Sequence, residues 1–121
     1  MDSPLLEKSL DFASKIVLFY EEYRNNKRDT TIPKQLLRSA TSIGANINEA
    51  VFGSSKADFI AKMHIALKET SESIYWLTLL SRTQLLQYDY ENLISLAEEK
   101  KNAYFVNKYG EENTKIIVYI V

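Results

Sequence analysis

His64 is the single histidine in the chain, and there is no cysteine. Thiolate chemistry and disulfides are therefore excluded. A di-iron helical bundle needs a Glu-x-x-His motif on each of two helices. The residue three before His64 is Ala61, so the motif is missing even once. Glu49, Glu69 and Glu72 could offer oxygen ligands to a hard cation, although carboxylates at such spacing also make an ordinary solvated acidic face. The many serines allow a Ser-His-acid triad on paper, but nothing places a nucleophile on a strained turn beside a base. No glycine-rich phosphate loop is present. The expectation is no catalytic residue, no metal, no cofactor, no evident small-molecule substrate and hence no enzyme.

Two other groups could do chemistry of a binding kind. Arg24, Lys27, Arg28, Lys34 and Arg38 gather within fifteen positions. They are the best local candidates for phosphate contact, helped by the positive end of a helix starting nearby. A solvated linker is the plainer explanation. Trp76 beside Tyr75 could stack on a base, but next to Leu77 and Leu80 it suits a core or an interface. His64 is expected on the bundle surface or at a subunit contact.

These residues must be positioned by a chain of 121 residues, the size of one domain spanning 1–121. Hydrophobic residues make up 45% and charged residues 26%, which argues against disorder. Only 3 glycines and 2 prolines occur, too few for an all-β fold with many tight turns. Fifteen basic against 16 acidic residues give a formal charge of −1, whereas a dedicated nucleic-acid binder is usually basic. The N-terminus lacks the basic segment and long apolar core of a signal peptide. No apolar run approaches the roughly 20 residues that cross a bilayer. A soluble, cytoplasmic protein without membrane contact is expected.

Hydrophobic spacing predicts four helices, at about 4–25, 33–52, 55–82 and 89–108. Ser3 suits a cap and Pro4 the first helical position of the first. Its stripe is Leu5, Phe12, Ile16, Phe19 and Tyr23, widened by Leu6, Ala13, Val17 and Tyr20. The second carries Leu36, Ala40, Ile43, Ile47 and Ala50, a seam stepping by four and three, and Gly53 ends it. Ser55 and Asp58 have capping-box spacing for the third, which carries Phe59, Met63, Ala66, Thr70, Ile74 and Leu77. Asp89 caps the fourth, with Leu93, Leu96 and Ala97. Short connections make neighbours antiparallel, so the fold class is all-α, an up-down-up-down four-helix bundle. Residues 110–121, ending in Ile116-Ile-Val-Tyr-Ile-Val121, favour strand over helix and are expected to form a non-helical or loosely packed tail.

A second stripe runs beside the seam of the second helix. Gln35, Ser39, Ser42, Asn46 and Glu49 repeat its spacing, rotated by about 100°. Ser39, Ser42 and Ala45 are small enough for another backbone to come close, and Asn46 and Glu49 can make directed hydrogen bonds. The third helix has a matching face of Ile65, Glu69, Glu72, Trp76 and Leu79. If the faces meet, Arg38, Asn46 and the glutamates form a paired network at a helix contact or an oligomer interface. A solvated acidic face is the alternative.

The run Gln35-Leu-Leu-Arg-Ser-Ala-Thr-Ser-Ile-Gly-Ala-Asn-Ile-Asn-Glu-Ala50 closely resembles the signature of the 23S rRNA intervening-sequence proteins, also called four-helix-bundle proteins. Ser55, Phe59, Ala66, Leu67, Glu69, Glu72 and Tyr75-Trp-Leu77 are similar to that family's third helix, and the resemblance covers roughly residues 5–98. It implies an antiparallel bundle, a homo-oligomeric ring of five and bacterial origin. Some members are encoded within inserts of the large ribosomal RNA gene. A similar bundle is the accessory protein of diversity-generating retroelements, which binds a reverse transcriptase and nucleic acid. Those accessory proteins are strongly basic and this chain is not. It also departs where members continue the fourth helix with apolar residues, having Glu98-Glu-Lys-Lys-Asn102 instead. Two functions compete: an oligomeric module that binds RNA or a ribonucleoprotein partner, and a scaffold that binds only proteins.

Overall fold

The computed structural model describes residues 4–26, 28–53 and 55–109, with side chains as far as Glu99. It contains four helices, α1 (Pro4–Asn25), α2 (Thr31–Val51), α3 (Lys56–Thr83) and α4 (Tyr90–Tyr109). Ser3, Lys27 and the segment 110–121 lie outside the described residues.

Local chemistry explains the helix ends. Asp29 Oδ1 accepts hydrogen bonds from Thr31 N at 2.8 Å and Thr31 Oγ1 at 2.6 Å, and Lys34 N donates to Thr30 O at 2.9 Å. Helix α2 thus starts at Thr31, two residues before the start expected at Pro33. The first turn needs no intrahelical N–H, so proline is accommodated inside it. At the other end Phe52 N reaches Asn48 O at 3.1 Å and Gly53 N reaches Ala50 O at 3.2 Å. A Cβ on Gly53 would press on the carbonyl oxygens of Glu49 and Ala50 and on the Asp58 carboxylate. Ser55 Oγ accepts from Asp58 N at 3.0 Å and opens α3. Gln84, at φ 47°, closes it in the left-handed region, its N–H on Leu80 O at 2.9 Å. Asp89 Oδ1 accepts from Asn92 N at 3.1 Å at the start of α4.

The helices form an antiparallel ring. The most extensive packing is between α2 and α3, followed by α3–α4 and α1–α2, and α1–α4 closes the circuit. Cross-helix pairs give the direction: Arg38 meets Glu69 and Glu72, while Glu49, further along α2, meets Lys62, earlier on α3.

Most of the expected seam residues fill the centre, whereas Leu5, Phe59, Ile74 and Leu96 are half-buried against it. Phe12, Ile16, Phe19 and Tyr23 of α1, all five seam residues of α2, Met63, Ala66, Thr70 and Leu77 of α3, and Leu93 and Ala97 of α4 are buried. Fully burying such an aliphatic or aromatic side chain contributes about 1.5–3 kcal/mol. Leu67, Ser73 and Leu80 join them from α3, and Ser9 from α1. Ser9 meets Gly44, where an added Cβ would stand 3.0 Å from Ser9 Oγ, so α1 and α2 approach closely there. Val17, expected to widen the apolar face of α1, is exposed, and so is Leu10.

At one end an aromatic cluster ties α1 to α4. Phe19 packs edge-on against Tyr88 (centroids 4.8 Å), Tyr90 (5.5 Å) and Tyr23 (5.7 Å). Tyr90 donates its hydroxyl to Leu86 O at 2.8 Å. Burial pushes its phenol up to about 12.

Candidate functional site

The polar stripes of α2 and α3 lie along their shared seam, and Ser39 and Ser73 sit deepest. Both are fully buried, with their Oγ atoms 2.8 Å apart. Ser73 Oγ also lies 2.9 Å from Glu69 O, and Ser39 Oγ 3.2 Å from Leu36 O. Each hydroxyl has one proton. If Ser73 donates to the Glu69 carbonyl, Ser39 must donate to Ser73, and both protons are used. Two small side chains facing one another let the backbones approach while leaving no buried hydroxyl unsatisfied.

Outside this pair lies the ionic group. Arg38 Nη1 is 3.0 Å from Glu69 Oε2, and its Nη2 bonds Glu72 Oε2. Trp76 Nε1 donates to the same Glu72 oxygen at 3.0 Å. The Trp76 hydrogen bond, aided by Arg38 and opposed by partial burial, holds the Glu72 carboxyl below its usual range. The hydrogen bond to Glu72 is the main reason that the Arg38 guanidinium is raised further. Trp76 is half-buried and meets Tyr75 edge-on at 5.0 Å. One turn of the network is missing from the expected set. Glu49 pairs with Lys62 at 3.1 Å instead of joining Arg38. Asn46, half-buried, donates to Ser42 O at 2.8 Å and lies 3.1 Å from Ser42 Oγ, so its amide bonds its own helix. Gln35 is exposed and Ser42 half-buried. Among the described residues no cluster of three His, Asp or Glu side chains could hold a metal ion, and Glu49 is drawn away from Glu69 and Glu72.

The basic candidates divide. Arg38 is engaged in the α2–α3 ion pairs. Arg24 is exposed and pairs with Glu21 at 2.5 Å, one turn back on α1. Arg28 and Lys34 are exposed at the α1–α2 connection and make no ion pair among the described residues. Lys27 lies outside them. His64 is exposed on α3.

Sequence reasoning missed a concavity at this same end. Tyr23, Ile32, Leu79, Leu80 and Leu85 line a half-open cavity of about 250 Å³, with Asp29, Thr31 and Thr83 also contributing. It sits where α1 ends, α2 begins and α3 ends. Leu85 is exposed and follows the left-handed Gln84. The only hint in the sequence is an apolar Leu85-Leu86 pair in a connection that has no need of one. A second missed feature is the buried Ser73, which lies on the α3 stripe three residues after Thr70 and four before Leu77.

No helix among the described residues is long and apolar enough to cross a membrane. The family model for the 23S rRNA-intervening sequence protein matches residues 1–104. Among solved structures, the chain is similar to a protein of unknown function from the S23 ribosomal protein family of Bacteroides thetaiotaomicron. The two are 43% identical with a TM-score of 0.82, over 86% of this chain and 97% of that one. No curated protein matches. With the bundle, the α2 run and the α3 face all in place, the chain belongs to the 23S rRNA-intervening sequence protein family.

Proposed function

We propose that this protein is a non-catalytic, cytoplasmic, homo-oligomeric module that binds RNA or a ribonucleoprotein partner through the end of the bundle where α1 passes to α2. The observation that carries this reading is the exposure of Arg28 and Lys34 beside that connection without an intramolecular ion pair among the described residues. Lys27 adds charge nearby in sequence, while Arg24 is paired with Glu21. The solved relative's place in the S23 ribosomal protein family fits a ribosomal partner. A ring of five, which the family resemblance implies, would repeat the patch around an axis, and avidity would make weak single contacts effective. Neutralising phosphates releases counterions, so affinity must fall steeply with salt.

Filter binding of structured RNA at two salt concentrations tests this. Reversing the charge of Lys27, Arg28 and Lys34 together should leave helix content unchanged, and should lower the salt slope by about 2 if all three contact phosphate. RNA binding equal to the parent's would refute the role of the patch. No binding at low salt would leave the second reading, a protein scaffold. Its support is the exposed Leu10, Val17 and Leu18 on α1.

A further inference from the structure

We infer that the cavity at this end of the bundle receives a single unpaired base of a bound RNA, so that the protein selects loops or bulges over duplex. The inference rests on the RNA-binding reading and deepens it. Ile32, Leu79, Leu80 and Leu85 make apolar walls, and about 250 Å³ is room for one flat ring system. Cavities for drug-sized ligands run from about 300 to 1,000 Å³, so this one suits a small guest.

The rim supplies polarity and charge of the right kinds. Asp29 Oδ1 is occupied by Thr31, but Oδ2 has no hydrogen-bond donor among the described residues. It stands ready to accept from an N–H on a base edge. Thr83 also lines the cavity; its hydroxyl donates to Leu80 O at 3.2 Å, so its oxygen is left as an acceptor. Arg28 directly precedes Asp29, and Lys34 lies near enough to act on its charge. A base entering the cavity would therefore leave its phosphates beside two exposed cations. An apolar slot next to cations matches a nucleotide, whose base is flat and apolar-faced and whose backbone is anionic. Duplex RNA cannot present a base in this way, because its bases are stacked and paired; single-stranded loops and bulges can splay one out.

The experiment uses the full chain with two RNAs of equal length. One is a hairpin carrying 2-aminopurine in its loop, and the other is a blunt duplex. Filter binding gives both affinities, and 2-aminopurine fluorescence reports unstacking of the loop base. The parent should prefer the hairpin by roughly tenfold, within what one stacked base contributes. Thr83→Phe, at an exposed position, should fill the cavity and abolish both the preference and the fluorescence change. Leu85→Gln, also at an exposed position, should weaken the hairpin alone. Duplex binding and its salt dependence should persist in both variants. A preference that survives both substitutions would overturn the base-in-cavity inference while leaving RNA binding intact. So would a change of oligomeric state with RNA selectivity unaltered, which would assign the cavity to a neighbouring subunit's side chain. Failure of the parent to bind either RNA at low salt would instead remove the underlying reading.

Discussion

Glu72 is the residue on which the α2–α3 ion group turns, because one of its oxygens serves both Arg38 and Trp76. Its carboxyl is held below the ordinary range, chiefly by the Trp76 N–H. A folded-state pKa below the unfolded value gives stability that is present above the unfolded value, about 4.3 for glutamate. It is lost as pH falls through the folded value. Thermal melts should therefore show a midpoint that drops below about pH 4.3, with a smaller acid-dependent part in Glu72→Gln. Identical pH profiles for the two proteins would show that the contact contributes nothing. Tyr90 works at the opposite limit. Burial lifts its phenol to about 12, so the folded state resists ionisation that the unfolded chain undergoes near 10. Stability is complete below pH 10 and declines toward pH 12. Tyr90→Phe should remove that alkaline component, read from denaturant melts at pH 9 and pH 11.

Helix α2 approaches α1 at Gly44–Ser9 and α3 at Ser39–Ser73, small residues on both flanks of one helix. Ser39→Ala should cost less than about 1 kcal/mol, since Ser73 keeps the Glu69 carbonyl as acceptor. Ser39→Leu should cost about 1–3 kcal/mol or more by forcing α2 and α3 apart. Urea unfolding of the pair checks the order, and equal midpoints would contradict close packing as the reason for the serines. The end of α3 offers a test in the other direction. Gln84 holds φ 47°, where a side chain costs about 1–2 kcal/mol. Gln84→Gly relieves that cost at some loss of backbone entropy, so it should raise stability by up to about 1 kcal/mol. A fall in the thermal midpoint would mean the glutamine side chain makes a compensating contact.

For the molecule as a whole, one face of the α2–α3 seam is half-finished. Asn46 is partly buried, and its Oδ1 receives no hydrogen bond among the described residues. If the seam packs on another subunit, that oxygen is where a donor would arrive. Asn46→Leu should then change the mass measured by light scattering while leaving helix content by circular dichroism unaltered. Loss of a buried hydrogen bond there costs about 1–3 kcal/mol per subunit. A parent that scatters as a monomer would remove the assembly from the proposal.

Periodicity alone determined the four helices, their order and most of the core, because amphipathic spacing is a local property of the chain; Leu67, Leu86 and Tyr90 lay outside the predicted stripes. Leu36, Ala40, Ile43, Ile47 and Ala50 can bury together on only one face of a helix. Caps at Ser55 and Asp89 were legible for the same reason, each being a contact across three residues. The start of α2 was less so, since Asp29 and Thr31 could compete with Pro33 for that role. Partner choice was decided by tertiary structure. Charge and spacing put Arg38 equally well with the linker cations or with the glutamates, and only the antiparallel register of α2 against α3 brings Glu69 and Glu72 to it while sending Glu49 to Lys62. Likewise Val17 lies on the flank of its stripe, and whether a flank is covered depends on where the next helix sits. The cavity beside Arg28 and Lys34 belongs to no segment. It is space left between the ends of three helices, and a volume between separate elements exists only once they are packed.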